Sequence, residues 1–172
     1  MQPRNRTSPD DGSGPAPKNT LADEALGVAP SLKQPSHTRA WTADERALRQ
    51  CIERGETVVV NLRKDAHRNL ALWAVRQGLL IYIGRPGWAL ASFNSFLVAQ
   101  GEPRVTAGPW ANPYAVGRDG DRDEVIAKYA DGKSELQSRA PELQGKALGC
   151  WCAPEPCHGD ILKQWADSGW PR

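Results

Sequence analysis

A-L-G-C-W-C-A-P-E-P-C-H-G-D, residues 147–160, reads as a strand, a proline-stiffened loop and the start of a helix. Ala147–Cys152 is short and apolar, the pattern of a buried strand. Pro154 and Pro156 then force an extended loop. Cys157 or His158 opens a final helix that turns Ile161, Leu162, Trp165 and Ala166 inward. On the strand, Cys150 and Cys152 share one face and Trp151 takes the other, because side chains alternate.

The same strand-and-helix unit recurs upstream. Thr57–Leu62 (T-V-V-V-N-L) and Leu79–Ile83 (L-L-I-Y-I) are the other buried-strand runs. Thr42 and Glu45 form a capping-box pattern ahead of Ala47, Leu48, Cys51 and Ile52, which share a helical face ending at Gly55. Asp65 caps a second helix through Gln77, with Leu70, Trp73 and Ala74 inward. Trp88–Gln100 makes a third, closed by Gly101. Residues 101–120 read as loop. Asp121 and Glu124 repeat the capping-box spacing before Val125, Ile126 and Tyr129, and a short helix follows around Ser134–Ala140. Strands alternating with helices predict an α/β domain with a small, largely parallel sheet flanked by helices. Right-handed crossovers bring Asn61, Arg63, Gly84, Arg85 and the segment from Cys150 to His158 to one rim.

That domain spans residues 41–172. Residues 1–40 carry six prolines and almost no aromatic or β-branched residues. They are expected to form a disordered tail, dispensable for folding, because they cannot bury enough apolar surface to offset ordering entropy. The net charge of +2 is too mild to establish a nucleic-acid partner by itself. No apolar run reaches the length of a membrane helix, and the N-terminus has no secretory core. The expected location is the cytoplasm, with no membrane partner. In that reducing setting the four cysteines are thiols or metal ligands rather than disulfides.

Three readings of C-x-C-x4-C-H stay open. Cys150, Cys152, Cys157 and His158 offer three thiolates and an imidazole, a set that suits zinc, although the adjacent Cys157 and His158 must both turn toward one ion. Alternatively, Cys157 at a helix N-terminus is a nucleophile, with His158 and Asp160 as base and orienting group and Cys152 beside them. The third reading is structural: cysteine is a common small core residue. Cys51 is read as core packing, His37 as a tail residue, and His67 as a solvated residue at a helix start. An anionic ligand is the expected partner of the arginines. Gly84 and Arg85 follow a strand, Asn61 and Arg63 close another, and Arg118, Asp119 and Arg122 lead into a capped helix.

V-V-N-L-R-K-D, Y-I-G-R-P, W-A-N-P-Y, G-R-D-G-D-R-D-E-V-I-A-K-Y and L-Q-G-K-A-L-G-C-W-C-A-P-E-P-C-H-G-D-I-L resemble the bacterial and phage family called domain of unknown function 4326 (DUF4326). The resemblance covers residues 57–168 and is most specific over Leu148–Leu162. It implies a small α/β domain with a Cys-Trp-Cys…Cys-His-Gly-Asp signature, and no established reaction. The W-A-N-P-Y turn adds Asn112 to the ligand-binding candidates. Pro86–Pro109 is an insertion relative to the family pattern, read as a lid or a reshaped pocket wall, and Ala111 stands where the family has glycine. A weaker similarity to the uncharacterised family numbered 488, which carries glutamate near the place of Cys152, gives more weight to Cys150, Cys157 and His158. The leading functional expectation is an enzyme of transfer or hydrolysis acting on a nucleotide, nucleic acid or other phosphorylated ligand. The rival is a non-catalytic binding module built on a Cys3His structural zinc.

Overall fold

Three short strands, β1 (Val58–Asn61), β2 (Leu80–Tyr82) and β3 (Ala147–Cys150), lie parallel in one sheet with β3 in the middle. The computed structural model describes residues 39–63, 66–132 and 134–168. The tail expected over residues 1–40 lies outside the described residues except for Arg39 and Ala40. Every residue of β3 is buried, which is why A-L-G-C is an unbroken apolar run. At Gly149 a Cβ would come 3.0 Å from Leu62 Cδ1, so the glycine lets the chain after β1 close over the central strand. The register pairs Asn61 with Cys150 and Tyr82 with Gly149, which gathers the three C-terminal strand ends at one edge.

Parallel neighbours cannot be joined by hairpins, so helices cover the sheet. They are α1 (Ala43–Glu53), α2 (Arg68–Arg76), α3 (Trp88–Ala99), α4 (Arg122–Asp131), α5 (Ser134–Arg139), which runs into a 3-10 turn at Ala140–Leu143, and α6 (His158–Asp167). One core joins Val58, Val60, Leu62 and Tyr82 to Leu70, Phe93 and Leu97. The other joins Ile83, Leu148 and Cys150 to Tyr129, Leu143 and Leu162. α3 occupies half of the expected insertion. Its Phe93 and Leu97 are fully buried, and Phe93 meets the Trp151 ring edge-on at 6.5 Å. The insertion is therefore part of the core, and only its first turn reaches the pocket described below.

Both capping boxes form, at Thr42/Glu45 and at Asp121/Glu124. The inward face of α1 differs from expectation, because Ala47 is exposed and Glu45 is buried. The Glu45 carboxylate accepts from the backbone N–H of Thr42 at 2.9 Å and of Asn69 at 2.9 Å, and pairs with Arg39 at 3.0 Å. A capping acid that also anchors a second helix has every reason to be inside. α2 begins at Arg68, and the expected cap Asp65 lies outside the described residues. His67 precedes it without capping. Its Nδ1 accepts from Asn61 N at 3.1 Å and its Nε2 meets Asp44 at 2.8 Å, so it braces β1 rather than facing solvent alone. The proline loop also differs: Glu155 N donates to Cys152 O at 3.1 Å, so the chain turns back on itself instead of running extended.

Candidate metal centre

Cys150 ends the central strand, and that turn returns the chain so that Cys157 becomes the N-cap of α6. Cys157 is extended (φ −143°, ψ 151°) while His158 already belongs to the helix. This change of backbone direction lets both neighbours turn to one point. Cys157 Sγ lies 3.3 Å from Cys150 Sγ and 3.5 Å from His158 Nδ1, and Cys150 Sγ lies 3.7 Å from Cys152 Sγ. The donor atoms of Cys150, Cys157 and His158 are all within 4.8 Å of one another, and all three residues are buried. A tetrahedral zinc with Zn–S near 2.3 Å and Zn–N near 2.05 Å sets its ligands about 3.8 Å apart for sulfur pairs and about 3.6 Å for sulfur and nitrogen. The Cys150–Cys157, Cys157–His158 and Cys150–Cys152 separations come within about 0.5 Å of those edges, and Cys152 stands outside the group of three whose donor atoms are all mutually close.

The imidazole is oriented for ligation. His158 Nε2 lies 3.0 Å from the Ile83 carbonyl, which can only accept, so Nε2 carries the proton and Nδ1 presents its lone pair toward the sulfurs. Burial pushes its pKa down and keeps the ring neutral, although the Ile83 hydrogen bond opposes this. The Tyr129 ring closes against it edge-on at 5.0 Å, fixed by a hydrogen bond donated from its hydroxyl to Trp110 O at 2.8 Å. Asp160 accepts from Cys157 N at 2.8 Å and completes the capping box of α6. The Ile83 carbonyl, not Asp160, therefore orients the ring. Gly159 N donates to Cys157 Sγ at 3.4 Å, and a Cβ on Gly159 would come 2.8 Å from Ile83 Cδ1. Glycine is what lets the helix start sit this close to the sheet.

Three thiols so close cannot ionise together without a cation. Hydrogen bonds from Cys150 and Cys157 hold the pKa of half-buried Cys152 below the thiol range. The same hydrogen bond to Cys152 pushes Cys150 up to about 11. Cys157 rises further, through its hydrogen bonds to Cys150 and Cys152 and through burial. Thiols in such contact form a set that a bound metal would deprotonate.

A cavity of about 400 Å³ opens on this cluster. Cys152 and His158 border it, with Arg85 from the end of β2 and Arg122 from the start of α4. Arg85 donates to Tyr114 O at 3.1 Å and Arg122 to Pro156 O at 3.2 Å, which fixes both guanidinium groups. Among the described residues neither forms an ion pair. Gly84 and Asn112 also line the cavity, but their roles are internal. A Cβ on Gly84 would meet the Tyr82 hydroxyl at 2.6 Å, and the Asn112 side chain bonds Val125 O and Tyr114 N. The other candidates stand away from it. Asn61 bonds Ala153 O, and Arg63 donates to Trp151 O at 3.0 Å, so both hold the proline loop. Arg118 pairs with Asp119 at 2.6 Å, and Asp119 in turn accepts from Ala115 N at 2.7 Å, which closes a surface turn. Cys51 is half-buried on α1 and accepts from Arg54 at 3.2 Å. The Ile83 carbonyl and the Tyr129 ring were not among the sequence candidates. The only signal for either was an apolar position beside a strand or on a helix.

The class of protein is thus a small parallel α/β domain with a Cys/His cluster where its strands end. The chain matches the family described as Domain of unknown function (DUF4326) over residues 62–168 and belongs to it. It is also 34% identical over 65 residues to an uncharacterized protein of Acanthamoeba polyphaga mimivirus, covering 32% of this chain and 50% of that one. The chain therefore spans about half the length of that relative. No solved structure matches it. Among the described residues no helix is long and apolar enough to cross a membrane.

Proposed function

We propose that this is a zinc protein whose ion, held by Cys150, Cys157 and His158 with Cys152 beside them, forms the floor of a pocket for a phosphorylated ligand. The observation that carries this is the 3.0 Å contact of His158 Nε2 with the Ile83 carbonyl, which assigns the proton to Nε2 and leaves the Nδ1 lone pair 3.5 Å from Cys157 Sγ, in a group whose donor atoms are all within 4.8 Å of one another. Arg85 and Arg122 supply the positive charge for the ligand. A reducing, cytoplasmic setting belongs to the same proposal, since it keeps the thiols available to the metal.

An enzyme of the transfer or hydrolysis class is the reading favoured by the pocket. Zinc bound there supplies a Lewis acid at the pocket floor. The chain's own residues do the rest: Arg85 and Arg122 bind and orient the anion, while Ile83 and Tyr129 hold the imidazole still. One observation favours the rival, a non-catalytic module with structural zinc. Cys152 Sγ lies 3.7 Å from Cys150 Sγ, so a turn of its side chain toward Cys157 and His158 would complete a closed four-ligand shell.

The test is elemental analysis of protein purified under reducing conditions. One zinc per chain is expected, lost in Cys157→Ser and His158→Ala and retained in Cys51→Ser. A folded, metal-free protein that takes up no added zinc would refute the proposal. Cys152→Ser divides the two readings. Retained zinc with altered turnover or ligand binding supports the enzyme, and lost zinc with unfolding supports the module.

A further inference from the structure

Three large apolar side chains are strongly exposed among the described residues: Trp88 at 85%, Val116 at 54% and Val98 at 50%. Scattered exposed apolar residues are ordinary. Here two of the three, Trp88 and Val116, border the same cavity as Arg85, Arg122 and the Cys/His cluster. Trp88 is the first residue of α3 and follows Gly87, whose φ of 142° lies where side chains are disfavoured. The helix behind it is locked in place by fully buried Phe93 and Leu97. The indole is thus a flat apolar surface carried by a fixed helix start, on the wall of a cavity that Arg85 and Arg122 also line.

We infer that the pocket takes a mononucleotide, with the base stacked on Trp88 and the phosphate held by Arg85 and Arg122. This rests on the phosphorylated-ligand reading above and adds the aromatic half of the ligand. The two halves of the wall call for a molecule that is flat and apolar at one end and anionic at the other. A sugar phosphate or a free phosphate leaves Trp88 in water, whereas every nucleobase offers a π-face to it. A polymer is the poorer match. Single strands are bound along a basic track with successive aromatic platforms, while this cavity measures about 400 Å³ and borders on one strongly exposed tryptophan. The net charge of +2 also provides little general attraction for a polyanion.

Calorimetric titration of the full zinc-loaded chain tests this, using the four ribonucleoside 5′-monophosphates, ribose 5-phosphate and a single-stranded deoxythymidine 20-mer. At least one nucleotide is expected to bind roughly tenfold or more tightly than ribose 5-phosphate, the range that base stacking on an aromatic supplies. Trp88→Ala should erase that preference while leaving ribose 5-phosphate binding unchanged. Trp88→Phe should keep part of the preference, and Arg85→Ala should weaken both ligands. Because Trp88 is so exposed, its variants should melt like the parent. Equal binding of nucleotide and ribose 5-phosphate, or indifference to Trp88→Ala, would overturn the inference, as would binding of the 20-mer alone. Zinc content measured on the same samples separates the two claims. Stoichiometric zinc without nucleotide binding refutes the ligand and leaves the metal centre standing. Nucleotide binding by protein that is purified without zinc and takes up none when it is added refutes the metal centre and supports the ligand.

Discussion

The first and last helices of this domain begin in the same way and serve different ends. At α1 the capping glutamate, Glu45, is fully buried, yet donors from Thr42, Asn69 and Arg39 surround its oxygens. At α6 the cap is Cys157, and its sulfur meets Cys150 and His158 as well as the Gly159 N–H. The first cluster has one acid and enough donors of its own. The second has three thiol sulfurs, a neutral imidazole turned lone pair inward, and no cationic side chain hydrogen-bonded to the sulfurs among the described residues. A buried charge set that the chain completes is architecture. One without a cation of its own is a group that could hold a metal ion.

The largest effect should come from breaking the second cluster. Cys157→Ser or His158→Ala should remove the zinc and lower Tm by about 10 °C or more, since zinc-site binding energy is folding energy. A chelator should bring the parent to the same Tm and change the variants little. If both variants melt like the parent and the chelator is without effect, α6 needs no ion and the contrast between the two helix starts collapses.

Breaking the first cluster should cost less and leave zinc content unchanged. Glu45→Ala strips the acceptors from Asn69, Thr42 and Arg39 and should destabilise the domain by about 3 kcal/mol, as for a broken buried pair. Burial pushes the Glu45 carboxyl up, but the hydrogen bonds from Thr42 and Asn69 and the charge of Arg39 outweigh it and hold the pKa below the ordinary 4.5. A carboxyl more acidic folded than unfolded stabilises fully above its unfolded pKa and loses that contribution as pH falls through the folded one. The stability gap between the parent and Glu45→Ala in urea unfolding should therefore narrow as pH falls below the ordinary glutamate range. A gap that stays constant down to pH 2 would show that the carboxylate charge plays no part.

How far the sequence discloses each cluster depends on chain distance. Capping boxes, strand runs and the C-x-C-x4-C-H segment are local patterns, so the layered fold and the sulfur ligands are legible from residues a few positions apart. The Ile83 carbonyl lies 75 residues from the histidine it orients, and a backbone acceptor has no residue type to betray it. The arginines fail for another reason. Arg63, Arg85, Arg118 and Arg122 all sit after a strand or before a helix, yet only Arg85 and Arg122 reach the cavity. Arg63 folds back on Trp151 O and Arg118 on Asp119. Which way a guanidinium turns is decided by the carbonyl or carboxylate that tertiary folding brings near it. Burial of Glu45 escapes notice similarly, since a capping glutamate is ordinarily a surface residue and only the packing of α2 against α1 encloses it.

A smaller perturbation sharpens the view that α6 is pressed onto the sheet to form the site. In Gly159→Ala the new methyl would meet Ile83 Cδ1 at 2.8 Å and Val59 Cγ atoms at 3.2 Å. These are side-chain ends that can yield, so the expected cost is about 1–2 kcal/mol of overpacking. Zinc affinity should fall with it, because Cys157 and His158 ride on the displaced helix start. Stability lost with zinc affinity intact would mean that the ligands tolerate movement of α6.

The smallest effect is expected at the remaining cysteine. Cys51 is half-buried on α1, packs against the core that holds Ile52 and Leu70, and its sulfur accepts from Arg54 at 3.2 Å. Serine in its place keeps an acceptor for Arg54 and loses only part of a sulfur's apolar contact, so Cys51→Ser should cost about 1 kcal/mol or less. Zinc content and pocket binding should be those of the parent. The variant thereby serves as the internal standard for the others: it removes a thiol from the same chain, beside the first cluster, without touching the second. Peptide mapping after brief alkylation of the folded, zinc-loaded parent should find Cys51 modified before Cys150 and Cys157, which the ion and the core both protect. Equal protection of all four cysteines, or loss of zinc from Cys51→Ser, would mean that α1 communicates with the metal centre and that the two helix starts are not the independent units their contacts make them.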